Sequence, residues 1–444
     1  MSSELTMNYG SPRWTNEIAD CSMPMTFDTY SKCSYNCMYC FAYFQKSHVM
    51  NDYRTGDVRS VNPDRVRHLF ESAFKNDREA VNKTEAQFFP YIQERKVMQW
   101  GGLADEFDEY EREHGVTLEL LKYFDEIDYP LSLSTKATWW TKDERYMELF
   151  RKHPHNWHVK ISIITNDDEK ARKMEGGVDS STERLEAIRR LADAGIHVTL
   201  RLRPYIIGLS DDWRELIKRA SEAGADSVTT EFFCMESRAD ENLKKRYKEM
   251  SKIVGYDIHP FYMKNSRQNG YKRLSRAIKL PIVKEMSQYC HELGMRFHSS
   301  DAHCRDYNDA CNCCGAPPEF NSHRGHIGQA VIIAREKGEV SWSDISPAIN
   351  QMFDFNWTET ASYNTGSNQS RARRLRMSMA DFLHNNWNNP KGALSPAKGY
   401  GGVLVPDRRD ENGDIVYKYK GAYLNGENGK TTQGNRQGTV RETL

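Results

Sequence analysis

The sequence lacks a long apolar run and carries no net charge. Hydrophobic residues make up 38% of its 444 residues, and no stretch approaches the roughly 20 apolar residues that span a bilayer. Met1–Asp20 contains no sustained apolar segment, so we expect no signal peptide. Lys and Arg number 62, as do Asp and Glu. This composition is typical of a soluble globular protein. We therefore expect a cytoplasmic protein without a membrane partner.

Disulfide bonds are not expected in that compartment, although the chain has ten cysteines. Clustered cytosolic cysteines are better interpreted as metal or redox ligands. Three of them lie within eight residues, four lie within eleven, and three stand alone. The first group is Cys33, Cys37 and Cys40, the second is Cys304, Cys311, Cys313 and Cys314, and the isolated residues are Cys21, Cys234 and Cys290.

Strand-like and helical segments alternate over the first 300 residues. The predicted strands are Met25–Tyr30, Val97–Gly102, Leu131–Lys136, Val159–Thr165, Ile196–Leu202 and Ser227–Phe233, with a further short strand at Arg296–Ser299. Helical periodicity or composition marks the segments between them, and Gly195 and Gly224 end two of the helices. Alternation of this kind predicts parallel βαβ units. Six such units predict an α/β fold of the partial (β/α)6 barrel type, whereas eight would close the barrel.

The sequence is divided into an N-terminal extension (1–24), the barrel core (25–300), a cysteine-rich accessory segment (301–361) and a basic C-terminal region (362–444). The last region holds thirteen Lys and Arg against seven Asp and Glu. Its Asn412-Gly413 pair predicts a type I′ hairpin. The basic excess indicates a nucleic-acid or other anionic partner, with a solvated surface as the alternative. The arginines available for phosphate contacts are Arg371, Arg373, Arg374 and Arg376.

The segment Cys33-Ser-Tyr-Asn-Cys37-Met-Tyr-Cys40 is the most informative motif. Three thiolates this close can hold three corners of a [4Fe–4S] cluster, and the missing fourth ligand leaves one iron open. An open metal position is typical of catalytic sites. It could chelate the amino and carboxylate groups of S-adenosylmethionine (SAM). A zinc site or a cluster with a remote fourth ligand is the alternative, although zinc sites usually use paired C-x2-C elements.

The C-x3-C-x-aromatic-C signature, with Tyr39 as the aromatic residue, resembles that of the radical SAM superfamily. Further segments resemble its spore photoproduct lyase-like branch, also labelled DNA repair photolyase-like. They are Cys40-Phe-Ala-Tyr, Gly101-Gly-Leu-Ala-Asp-Glu-Phe-Asp, Ser134-Thr-Lys-Ala, the helix from Ser181 to Gly195, and Arg203-Pro-Tyr-Ile-Ile-Gly. The resemblance covers residues 25 to 315 approximately. It implies reductive cleavage of SAM to a 5′-deoxyadenosyl radical and an electron donor such as flavodoxin or ferredoxin.

The resemblance also implies which residues bind SAM. Gly101 and Gly102 would contact the amino group of its methionine moiety, at a strand end where a missing side chain permits close approach. Ser162 matches the polar position that binds the ribose or the carboxylate. Lys136 and Arg184 could offset the carboxylate charge. For each of these residues, an ordinary structural role is the alternative.

Cys234 and the second group of cysteines also have candidate roles. Enzymes of the branch can use a cysteine as a hydrogen-atom donor, and Cys234 follows the sixth predicted strand at a suitable position. A buried small side chain is the alternative for this residue. The four cysteines of the second group could bind a second iron–sulfur cluster or zinc, with reduced structural thiols as the alternative.

The sequence therefore predicts a radical SAM enzyme for C–H or C–C chemistry. A nucleobase, in DNA or as a nucleotide, is the expected substrate class, because of the branch resemblance and the basic C-terminal region. A peptide or small-molecule substrate is the first alternative. A non-catalytic iron–sulfur protein, acting as a redox sensor or scaffold, is the second.

Overall fold

The computed structural model of the protein describes residues 5–15, 17–43, 56–236, 241–266, 271–353, 377–392 and 394–421. The strands are β1 Arg13–Trp14, β2 Met25–Phe27, β3 Asn36–Cys37, β4 Met98–Trp100, β5 Leu131–Thr135, β6 Trp157–Ser162, β7 Glu175–Gly176, β8 His197–Tyr205, β9 Ser227–Phe232, β10 Cys234–Met235, β11 Lys272–Arg273, β12 Arg296–Ser299, β13 Glu339–Val340, β14 Leu404–Arg409 and β15 Ile415–Tyr419.

The helices are α1 Pro63–Lys75, α2 Lys83–Ala86, α3 Phe89–Gln93, α4 Glu109–His114, α5 Val116–Glu126, α6 Glu144–Lys152, α7 Asp168–Met174, α8 Ser181–Asp193, α9 Trp213–Glu222, α10 Glu241–Val254, α11 Ile258–Asn265, α12 Arg276–Glu292, α13 Gln329–Lys337, α14 Ser346–Met352, α15 Met379–Trp387 and α16 Pro396–Gly399. Short 3-10 helices occur at Ile18–Asp20, Trp139–Lys142, Ala302–Tyr307 and Trp342–Asp344. In the described part of the chain, no helix combines the length and the apolar character that crossing a membrane requires.

One large sheet organises the fold, with strand order β1-β2-β4-β5-β6-β8-β9-β12. Only β1 is antiparallel to its neighbour, and the other seven strands run parallel. This arrangement confirms the predicted α/β class and the partial barrel. The short strand β12 adds a seventh parallel strand beside β9, so the parallel part is one strand wider than the six predicted units.

Alternation along the strands separates an apolar outer face from a polar interior. In β6, Val159 and Ile161 belong to the apolar core, whereas His158 points into the barrel. His158 Nδ1 lies 2.9 Å from Ser132 Oγ of β5, and its Nε2 lies 2.6 Å from Thr199 Oγ1 of β8. Successive side chains of a strand point to opposite faces, so the sequence pattern of β6 itself lines the barrel with polar groups.

The helices cover the apolar face, and several of them begin with a side-chain cap. Helix α8 is an example, because the Ser180 side chain accepts a hydrogen bond from the backbone N–H of Glu183 at its N-terminus. Its buried residues Leu185, Ile188 and Leu191 recur at helical spacing and join the core.

The second cysteine segment enters the bottom of the barrel. The backbone oxygen of Gly315 accepts hydrogen bonds from Thr199 Oγ1 at 3.3 Å and Ser227 Oγ at 3.0 Å. That of Cys313 accepts one from Thr229 Oγ1 at 2.6 Å. We call residues 311–316 the barrel plug. Its polar backbone is satisfied by the polar side chains at the N-terminal ends of the strands.

Strands β14 and β15 of the C-terminal region join β13 of the accessory segment in a small antiparallel sheet of order β13-β15-β14. The predicted hairpin is present, but its turn is not type I′. Arg409 pairs with Ile415, leaving five residues between the strands, and only Gly413 of the turn has a positive φ, at 82°. Type I′ requires positive φ at both central residues. Residues 371–376, with the four predicted phosphate-binding arginines, and residues 425–440 lie outside the described residues.

Candidate active site

A cavity of about 310 Å³ opens at the C-terminal end of the parallel strands. Ligands collect at this end of a parallel α/β barrel, because the loops that follow the strands converge there. The predicted site residues among its lining are Cys33, Cys37, Cys40, Tyr39, Gly101, Gly102, Lys136, Ser162 and Cys234. The structure thus brings together the cysteine loop, the glycine pair and residues of strands that are far apart in sequence.

The cysteine loop is fixed by contacts with the opposite side of the barrel. Its strand β3 pairs antiparallel with β7, where Cys37 faces Glu175. The guanidinium of Arg246 donates to the backbone oxygen of Cys37 at 3.2 Å. The Asp108 carboxylate accepts a hydrogen bond from the Ser34 backbone N–H at 2.5 Å. These contacts anchor the loop over the cavity.

The three thiols of the loop lie close enough to influence one another. Burial, followed by the neighbouring thiol of Cys40, raises the pKa of Cys33. Burial also raises the pKa of Cys37 to about 12, although the nearby Lys136 opposes this shift. Deprotonating several thiols together is therefore unfavourable unless a cationic centre compensates their charge. A metal cluster would provide that compensation.

The glycine pair directly follows β4 and lies against β5. Gly101 has a φ of 82°, and an added Cβ would lie 2.5 Å from the Ser134 backbone oxygen. Only glycine fits this position without displacing backbone. An acidic residue supports the loop that follows, since Asp28 Oδ1 accepts the backbone N–H groups of Leu103 at 2.6 Å and Ala104 at 3.1 Å.

The sequence profile of the radical SAM superfamily matches residues 28–220 of the chain. This range contains the cysteine loop, the glycine pair and strands β4 to β8. Residues 28–220 are therefore a radical SAM domain. The protein is accordingly an enzyme, and a domain of this kind implies that it uses SAM and a [4Fe–4S] cluster. The three neighbouring thiols fit the cluster, and the glycine at the cavity wall fits SAM.

Comparisons with known proteins give more distant similarity. An uncharacterized protein of Mycobacterium tuberculosis is 24% identical over 258 residues, covering 55% of this chain and 71% of that protein. A structure of a spore photoproduct lyase mutant with bound AdoMet and dinucleoside spore photoproduct is 16% identical, with a TM-score of 0.44 over 64% of this chain and 80% of the other. A complex of spore photoproduct lyase with dinucleoside spore photoproduct has a TM-score of 0.45 and 17% identity, over 63% and 77% of the two chains.

Arg184 does not line the cavity of the radical SAM domain, contrary to its predicted contact with SAM. Its guanidinium is buried and donates to Glu175 Oε2 at 2.7 Å and to the Ser162 backbone oxygen at 2.6 Å. The same Glu175 carboxylate accepts the hydroxyl of Tyr39. Arg184 is therefore a positioning residue that connects the cysteine loop to β6.

The second cysteine group does not converge on one point of the domain. Cys304 is buried near Asp301 and Lys279, whereas Cys313 and Cys314 lie in the barrel plug. The thiol beside these two is Cys21, which packs against the same small apolar cluster. A zinc ion bound at about 2.3 Å needs sulfurs within about 4 Å of each other. Among the described residues, the only set of three metal-binding groups whose ligand atoms lie within 4.8 Å of one another is Asp128, His153 and His155.

Sequence reasoning missed the charged residues of β8 and β9. Arg201 and Arg203 of β8 and Glu231 of β9 line the cavity, and Arg203 forms an ion pair with Glu231. The detectable signal was the alternation Thr199, Arg201, Arg203, which places successive polar residues on one face of a strand.

Proposed function

We propose that this radical SAM enzyme holds a [4Fe–4S] cluster at Cys33, Cys37 and Cys40 and acts on a nucleobase or nucleotide-type substrate. When bound, the cluster and SAM supply a one-electron cleavage that releases a 5′-deoxyadenosyl radical for C–H or C–C chemistry. The observation that carries the proposal is the common cavity of the three thiols and the Gly101–Gly102 pair. We expect a flavodoxin or ferredoxin as the electron donor.

The residues of the chain bind and orient the cosubstrate. Gly101 and Gly102 leave space for its methionine moiety at the end of β4. Lys136 lies beside the cysteine loop, with its Nζ 5.9 Å from the centre of the Tyr39 ring, and its charge suits the SAM carboxylate. Ser162 presents a hydroxyl to the cavity for the ribose or the carboxylate. Arg184 fixes the backbone of this serine from behind.

Cys234 is suited to donating a hydrogen atom. It lines the cavity, with its Sγ 3.6 Å from the Phe232 backbone oxygen. Burial raises the pKa of its thiol to about 12, so at neutral pH the sulfur keeps the hydrogen that a substrate radical would take. The proposed role is to donate this hydrogen atom to the product radical, which breaks the S–H bond and leaves a thiyl radical on Cys234.

The substrate class rests on sequence. The segments that resemble the spore photoproduct lyase-like branch support a nucleobase, as do the basic residues Arg371, Arg373, Arg374 and Arg376. Binding of labelled single-stranded DNA across a salt series tests the basic segment, because phosphate contacts release counterions. If about three arginines contact phosphates, their substitution by Ala should reduce the magnitude of the log–log salt slope by about 2.

A second metal is proposed as an iron–sulfur cluster or zinc at the cysteines of the barrel plug. Among the described residues, no three cysteine sulfurs lie within 4.8 Å of one another, which favours the larger iron–sulfur cluster. Iron above four atoms per chain after reconstitution would support the second cluster, whereas four atoms would leave Cys311, Cys313 and Cys314 as thiols.

The decisive experiment is anaerobic reconstitution followed by reduction with dithionite and chromatographic detection of 5′-deoxyadenosine. The wild type should bind the cluster and cleave SAM, and the C33A/C37A/C40A variant should do neither. Cys290→Ala is the matched control, since Cys290 is buried in α12 and lies outside the cavity lining.

Three other results would contradict parts of the proposal. Formation of 5′-deoxyadenosine by the triple variant would show that the cluster site is wrong. A wild-type cluster that never cleaves SAM would favour the redox or scaffold alternative. Consumption of a peptide or small molecule but of no nucleotide would replace the substrate class.

A further inference from the structure

The cavity of the proposed active site contains more basic than acidic side chains. Its basic lining residues are Arg13, Lys136, Arg201, Arg203 and Arg273, and its acidic lining residues are Glu17, Asp105 and Glu231. Three of the five basic groups have a carboxylate partner. These pairs are Arg13 with Asp28 at 2.5 Å, Arg203 with Glu231, and Arg273 with Glu17 at 3.4 Å.

Arg201 has no carboxylate within 4.0 Å among the described residues. Its Nη1 donates to Ser162 Oγ at 3.1 Å, and in that part of the chain its other guanidinium N–H groups have no hydrogen-bond partner. Burial and the neighbouring Arg203 lower the pKa of Arg201 to about 10. A guanidinium held beside a like charge inside a cavity is stabilised by a bound anion.

SAM accounts for one of the two cavity cations that have no carboxylate partner among the described residues. It has a single carboxylate, and the proposed partner of this group is Lys136, which directly follows β5 and lies beside the cysteine loop. Arg201 lies on β8, two strands further along the sheet from β5, and next to β9. The wall that follows β9 holds Cys234, the candidate hydrogen donor. Arg201 is therefore available to bind a group of the substrate.

We propose that Arg201 binds an oxyanion of the substrate, so that the enzyme accepts a phosphate- or carboxylate-bearing compound in preference to its neutral counterpart. The guanidinium fork matches both oxyanions with two parallel hydrogen bonds. This inference rests on the proposed function for the position of SAM. For the nucleotide-type substrate of that proposal, the oxyanion is a phosphate. The carboxylate of SAM is a second oxyanion that competes for the same guanidinium.

The test uses calorimetric titration of the reconstituted protein with three probes: SAM, thymidine and thymidine 5′-monophosphate. Wild-type protein should bind the monophosphate about tenfold or more tightly than thymidine, which corresponds to one strong charge-assisted contact. Arg201→Gln should bring the two affinities within about twofold and weaken SAM binding less than Lys136→Gln does. Arg201→Lys should retain part of the preference, because the charge remains without the fork.

Lys136→Gln is the matched control, a neutral substitution of the other cavity cation without a carboxylate partner. It should weaken SAM binding and preserve the preference for the monophosphate. Inorganic pyrophosphate serves as a base-free probe, and it should raise the melting temperature of the wild type but not of Arg201→Gln. Unfolding temperatures without ligand check that all variants fold.

Three results would overturn the inference. They are equal wild-type affinity for the nucleoside and its monophosphate without a pyrophosphate effect, an unchanged preference in Arg201→Gln, and a loss of SAM affinity in that variant as large as in Lys136→Gln. Failure of the proposed function is distinguishable, because it appears as absent 5′-deoxyadenosine in the wild type whatever the anion binding.

Discussion

Arg184 and Glu175 form an ion pair inside the protein, with side chains that are 0% and 1% exposed. The pair joins α8 to β7, the strand that pairs with β3 of the cysteine loop. The Tyr39 hydroxyl donates to the same carboxylate, so one buried acidic residue connects the loop to the barrel wall. Burying a charge without its partner costs folding free energy. We therefore expect the position of the cysteine loop to depend on this contact.

Glu175→Gln should strongly destabilise the protein and impair cluster assembly. The change leaves the Arg184 guanidinium buried without a counter-charge, which typically costs about 3–5 kcal/mol. Urea unfolding measures the stability, and absorbance after reconstitution measures the cluster. Glu144→Gln is the control because its pair with Arg151 is exposed, and it should change neither. Equal effects of the two substitutions would contradict the structural role of Glu175.

Gly101→Ala should weaken SAM binding and destabilise the fold more than the same change at Gly195. Both glycines have a φ of 82°, but an added Cβ at Gly195 meets nothing within 4 Å. The left-handed conformation alone costs about 1–2 kcal/mol, so the difference between the variants isolates the collision with Ser134. Urea unfolding and SAM titration measure the two effects. An equal loss of stability in both variants would show that the backbone at Ser134 moves away.

Protein stability should fall as the pH drops below neutrality, partly because of His323. Burial lowers the pKa of His323 to about 4, from about 6.5 in an unfolded chain. A depressed folded-state pKa means that its stabilising effect is complete above pH 6.5 and is lost as the pH falls towards 4. The loss attributable to this residue is at most about 3 kcal/mol.

Urea unfolding of the unreconstituted protein between pH 7 and 4 measures this dependence. His323→Gln should flatten the curve, whereas His259→Gln, at an exposed position in α11, should leave it unchanged. A wild-type slope that persists in His323→Gln would assign the acid sensitivity to other groups.

Cys304→Ala should not change the iron content of the reconstituted protein. Cys304 lies apart from the barrel plug, so it cannot contribute to a metal site there without rearrangement. Cys33→Ala should lower the iron content, because it removes one of three ligands of the proposed cluster. Elemental analysis should find no zinc in either variant. Loss of iron specific to Cys304→Ala would restore the second group as ligands.

Much of the fold followed from local patterns. The predicted and observed strands agree within about three residues, since alternating apolar residues and Gly-terminated helices are local signals. Helix α12 begins at Arg276 and contains Pro281, a residue type that is disfavoured inside helices. The turn after β14 also differs from the predicted one. Five residues connect β14 and β15, whereas Asn-Gly favours a two-residue turn.

The sequence by itself determined the cysteine loop, the glycine pair and the parallel α/β alternation, because each depends on spacing or periodicity within a short segment. Only the tertiary structure decided the surroundings of Arg184, Cys21 and Arg201. Their partners lie on other strands, and whether a charged side chain meets a carboxylate, a thiol or a cavity depends on the register and curvature of the sheet. The same reason applies to the barrel plug, whose clustered cysteines suggested a metal site, while its backbone oxygens accept hydrogen bonds from β8 and β9 inside the barrel.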